Sequence, residues 1–192
     1  MQYYILDSLG EYDDEKYCHV EGLVEGVDDD QLALECGGSL SDIYPADPFE
    51  VTMELDEDSP KHIEKGDFVS TTDDYVMVST KVVEELKKNN IKNVEFWPFT
   101  LMNHKGRIHS KDYNFVVTQP YDALHLELSE INRDENNTVI GVDKIVLDNR
   151  KLENAPDVFH INDICRMAFS EPLAKILQEK YTNFVFDKAE QA

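Results

Sequence analysis

A chain of 192 residues with 41% hydrophobic and 10% aromatic side chains has apolar mass for a stable core, too much for a disordered segment. Its apolar runs fall well short of the roughly 20 residues that cross a bilayer as a helix, and its N-terminus lacks the basic start of a signal peptide. A net charge of -22 argues against a surface built on phosphate contacts and for a basic partner.

The charge is segregated. Residues 1–74 hold 22 acids against three bases, whereas residues 75–192 hold 18 against 15. From the N-terminus, "QYYIL" has the composition of a short strand, and the patchy stretch that follows alternates apolar pieces with Gly, Pro and acid clusters. "FEVTMEL", Phe49 to Leu55, alternates like a half-buried strand. From Asp67 the pattern sharpens. "DFVSTTDDYVMVS" leads into a helix, "TKVVEELKKNN", with Ser79 as its N-cap and Val82, Val83 and Leu86 on one face. "VEFWPFTL" is a strand carrying a proline, hence at an edge or a bulge. "NHKGR" is a turn and "YNFVVTQP" the returning strand, so Trp97 is a packing residue in a hairpin. "DALHLELSEINRDENNTVIGVDKIVLD" suggests strand, polar loop, strand, and "VFHIND" another strand. "FSEPLAKILQEKY" is a second helix capped by Ser170, and "TNFVF" a closing strand. The two stretches "MVSTKVVEEL…VEFWPF" and "AFSEPLAKIL…NFVF" echo each other as two instances of one local motif. The pattern predicts one α+β domain, mostly antiparallel strands with a few short capped helices. An acidic strand-and-loop region, 1–66, packs on a core of 67–192.

Chemistry is sparse. There is no Gly-rich phosphate loop and no nucleophile elbow. Cys18 beside His19, and Cys165 near His160, are weak thiol–base pairs, and Cys18, Cys36 and Cys165, odd in number and widely spaced, suit a reduced cytosolic chain. No metal-ligand spacing or calcium loop is present, so no cofactor or metal is expected.

Val78–Ser79 before a helix, the aromatic-proline strand Phe96–Pro98, the "D…LD" run from Asp143 to Asp148, Ser170–Glu171 and the aromatic pair Phe184–Phe186 resemble a bacterial immunity-protein family. That family is found beside polymorphic-toxin genes, including type VI secretion effectors. The likeness covers about the last 120 residues. It implies a cytoplasmic, non-enzymatic protein that binds and neutralises a cognate toxin, and it brings no catalytic residues. A toxin acting on nucleic acid is basic. An inhibitor would then meet it with Asp13, Asp14 and Glu15, Asp28, Asp29 and Asp30, and Asp56, Glu57 and Asp58. Alternatives are anchoring by Tyr12, Tyr17 or Tyr44, a small metal-dependent hydrolase using the acidic loops, and an adaptor for a secreted effector. Membrane and nucleic acid are not expected partners, and the sequence leaves oligomeric state open.

Overall fold

Ser79 and Ser170 each end a buried strand and begin a helix, and each marks the same point in a twofold internal repeat. The computed structural model describes residues 1–11, 16–27 and 31–192. The first repeat comprises β1 (Tyr3–Leu6), β2 (His19–Val20), α1 (Leu32–Cys36), β3 (Thr52–Glu54), β4 (Phe68–Thr71), β5 (Met77–Ser79), α2 (Thr80–Lys88) and β6 (Val94–Asn103). The second comprises β7 (Arg107–Thr118), β8 (Pro120–Tyr121), β9 (Glu130–Arg133), β10 (Val139–Lys144), β11 (Val146–Leu147), β12 (Val158–Ile161), β13 (Met167–Ser170), α3 (Glu171–Lys180), β14 (Phe186–Lys188) and β15 (Glu190–Gln191). The domain is α+β with mostly antiparallel pairing, as the strand pattern predicts.

Pairing within the two repeats matches residue for residue. β2 lies parallel to β4 with His19 opposite Ser70, and β8 lies parallel to β12 with Pro120 opposite His160, in each case the third residue of the longer strand. β3 joins β6 through Thr52–Thr100 and Met53–Leu101, and β11 joins β15 through Val146–Glu190 and Leu147–Gln191. The first strand of each repeat is exchanged. β7 sits between β5 and β6 with Tyr113 opposite Ser79, whereas β1 sits between β13 and β14 with Tyr3 opposite Ser170.

Each set curls shut. In the first, β2 meets the end of β3 through a Val20–Leu55 bridge, and the Asp56 N–H donates to the His19 carbonyl at 3.1 Å. In the second, Leu124, beyond β8, bridges Leu147. Strand directions are consistent around both circuits, so the molecule is two small barrels of one topology. Closure removes long free edges, which otherwise invite pairing with other chains.

The side-chain alternation fills three cores. Val69, Met77, Phe99 and Phe115 lie inside the first barrel, and Tyr3, Phe159, Ile161 and Ala168 inside the second. The opposite faces, carrying Phe68, Val116 and Phe169, are sealed by the two helices. Each helix buries the third, fourth and seventh residues after its serine: Val82, Val83 and Leu86, then Leu173, Ala174 and Leu177. Each large side chain so buried contributes about 1.5–3 kcal/mol before entropy is counted.

Several expectations change. Both serines occupy the N-cap position, but neither hydroxyl bonds its helix. Ser79 Oγ donates to Asp67 Oδ1 and Ser170 Oγ to Asp157 Oδ1, both at 2.8 Å, charge-assisted bonds that orient each hydroxyl away from its helix. Tyr113 and Tyr3 hydroxyls then donate to the carbonyls of the residues preceding those aspartates, Gly66 and Pro156. "FEVTMEL" keeps only Thr52–Glu54 as strand, since Pro48 opens a short 3₁₀ turn. "LALEC" is helix rather than loop. Pro98 is accommodated because its strand is flanked there by β7 alone, β3 joining from Thr100 onward. The cysteines are not all reduced: Cys36 and Cys165 form a disulfide across 129 residues, a pairing that sequence spacing does not reveal. The first 66 residues supply β1, β2, α1 and β3, woven into both barrels.

Candidate partner-binding surface

Of the acidic clusters singled out in the sequence, Asp13–Glu15 and Asp28–Asp30 lie outside the described residues, as does Tyr12. Asp56, Glu57 and Asp58 form the turn that leaves the first barrel at its closure. Glu57 and Asp58 are exposed, while Asp56 Oδ1 accepts from the Asp58 N–H at 2.9 Å. Partial burial would raise the Asp56 carboxyl, yet hydrogen bonds from Ser59 and Asp58, with His19 and His62 nearby, hold it below its ordinary value. The turn stays anionic.

Most other described acids of the first third make no ion pair with a described base. Glu21, Glu25, Asp42, Asp47, Glu50, Glu54 and Glu64 are all exposed. Among the described acids of that third, Asp74 is the one that pairs with a described base, Arg166 at 2.9 Å. The balanced remainder pairs its charges internally, as in Lys180–Glu85, Lys151–Asp122 and Lys144–Glu190. Exposed pairs of this kind contribute little to stability, but they cancel local field. The first third leaves its field intact.

The thiol and imidazole groups singled out in the sequence are held in the fold as follows. Cys18 is buried in the first barrel, and burial pushes its thiol up to about 12, so no thiolate forms near neutral pH. His109 Nε2 lies 3.5 Å from its sulfur and 3.0 Å from the Ile63 carbonyl, the better acceptor for that N–H. Cys165 is in the disulfide. His160 is fully buried between the barrels. Its backbone N–H donates to Thr118 Oγ1 at 2.7 Å, and the same hydroxyl is in hydrogen-bond contact with Nδ1 at 2.9 Å. Burial lowers the imidazole to about 4, leaving it neutral. Gly37 holds this junction close: at φ +87, a Cβ there would lie 2.4 Å from the Thr118 carbonyl oxygen and 2.9 Å from His160 Nδ1. Among the described residues no three His, Cys, Asp or Glu side chains gather as a metal site.

Two of the three tyrosine anchors, Tyr17 and Tyr44, lie among the described residues. Tyr17 is buried, and Tyr44 is half-buried, its ring 4.8 Å from that of Trp97 and its hydroxyl donating to the Pro98 carbonyl at 2.6 Å. Trp97 packs against the barrel core, with Nε1 donating to Glu95 Oε2 at 3.0 Å. The sequence pattern missed a cleft of about 690 Å³ at one end of the second barrel, beside the β9–β10 hairpin. Its walls come from distant segments, among them Asp7, Asp74, Asp143, Arg166 and Asp187. Burial raises the Asp74 carboxyl against the opposing pull of Arg166.

No protein-family model matches the chain, and no curated protein matches it. No helix among the described residues is long and apolar enough to cross a membrane.

Proposed function

We propose that this protein is an immunity protein, a non-enzymatic inhibitor that binds a basic, nuclease-type toxin from a neighbouring gene. The observation that carries the reading is the uncompensated acidic surface of the first third, whose exposed carboxylates make no ion pair with a described base. Such a field steers a cationic partner and speeds its capture. The burial of Cys18 and His160 away from any reactive state favours binding over turnover.

Action in the cytoplasm requires the Cys36–Cys165 bond to form against a thiol-rich pool, where mesophile disulfides are usually transient. An oxidising compartment sets no such requirement.

The test is calorimetry with the adjacently encoded toxin domain at low and high salt. One-to-one binding that weakens steeply with salt is expected, and Asp56→Asn/Glu57→Gln/Asp58→Asn should slow association by about threefold. Absence of binding at either salt overturns the reading.

A further inference from the structure

The two barrels differ at one end. In the first, Tyr75, Trp97, Phe115 and Val117 ring the mouth, and the chain plugs it with Leu34 of α1, Leu40 and Tyr44. The Tyr75 hydroxyl donates to Gln31 Oε1 at 2.9 Å, and the Gly38 N–H to the Thr118 carbonyl, fixing the plug. The repeat register gives the matching positions in the second barrel. Counting from the paired Tyr113–Ser79 and Tyr3–Ser170, Phe115 corresponds to Ile5, Val117 to Asp7 and Tyr75 to Arg166; Trp97, opposite Phe115, corresponds to Asp187, opposite Ile5.

All four counterparts line the 690 Å³ cleft. The seat that is filled by apolar chain in one barrel is therefore open and acidic in the other. Its outer wall is the β9–β10 hairpin, where Ile140 falls at a register shift and is 69% exposed. The charges of the cleft do not cancel. Arg166 pairs with Asp74, Lys144 with Glu190, and Asp163 with Arg133. Among the described residues Asp7, Asp143 and Asp187 have no ion pair, against the cation Lys188 alone.

We infer that this cleft is a docking site for a short segment of a protein partner that carries aliphatic side chains beside lysine or arginine, seated where the first barrel holds its own plug. An aliphatic side chain meets Ile5 and Ile140, and the cations meet the three unpaired carboxylates. The inference rests on the reading of a basic protein partner and names where that partner inserts.

The probe is a fluorescent peptide of alternating leucine and lysine, titrated into the full chain at about 150 mM salt, where long-range attraction is screened. The Asp143→Asn/Asp187→Asn variant, altered only at exposed side chains, should bind about tenfold more weakly, while Asp56→Asn/Glu57→Gln/Asp58→Asn stays within about twofold. Amide exchange should slow at 139–144 and 186–190 on binding. Equal loss in both variants, no slowing at the cleft, or no binding by the parent chain overturns the inference. The same cleft variant titrated with the toxin domain separates the two claims. Undiminished toxin binding overturns the cleft and leaves the immunity reading standing; a peptide-binding cleft in a chain that ignores the toxin does the reverse.

Discussion

His160 shows how one side chain can tie stability to acidity. It is neutral in the fold, with its imidazole lowered from 6.5 to about 4 by burial. Between those values the unfolded chain takes up a proton that the folded chain refuses. Stability is therefore full above about pH 6.5 and declines as pH falls toward 4, by about 3 kcal/mol if the whole shift is expressed. Urea midpoints of the parent should fall across that window more steeply than those of His160→Gln, and parallel slopes would exclude His160 as the source. None of this is legible locally: "VFHIND" marks a strand, and only the crossing with Thr118 and Gly37 reveals why a histidine is sealed in it.

At the scale of elements, the helices and their hydrophobic faces were readable because a helix is written in neighbouring residues. Val82, Val83 and Leu86 lie at helical spacing, and so do Leu173, Ala174 and Leu177. The aspartates that hold the two serines were not readable, since Asp67 and Asp157 each sit a whole hairpin away. The two are unequal. Asp67 also accepts from the Thr182 N–H and hydroxyl, both at 3.2 Å, joining the first barrel to the segment after α3, whereas Asp157 has only its serine side chain. Asp67→Ala should cost about 2–3 kcal/mol and Asp157→Ala about 1 kcal/mol in chemical denaturation. Equal costs would show that the Thr182 link contributes nothing.

At the scale of the molecule, the echo between "MVSTKVVEEL" and "AFSEPLAKIL" was the visible fragment of a larger structural repeat, in which α1 and the β9–β10 hairpin are without counterparts. The remainder was hidden because the repeats diverge in side chains while keeping register: Trp97 and Asp187 occupy one position with opposite chemistry. The cleft was hidden for the same reason, its walls being assembled from both ends of the chain and from the hairpin between. Closure, strand exchange and the Cys36–Cys165 link are long-range facts with no local signature. Together they make the two barrels interdependent, each completed by a strand from the other repeat.

The β6–β7 hairpin joins the repeats through the tight tip His104–Gly106. The equivalent junction, from β15 to β1, is open, yet Gln191 Nε2 donates to the Met1 carbonyl at 3.1 Å across it. Met1 and Gln191 are thus neighbours at a place that matches the tip of the β6–β7 hairpin. A circular permutant that links residue 192 to residue 1 and opens between Lys105 and Gly106 should fold to the same pair of barrels. Its circular dichroism should match the parent, with a melting temperature within a few degrees, roughly the effect of 1 kcal/mol. An unfolded permutant would mean that the two junctions, alike in geometry, are unlike in their part in folding.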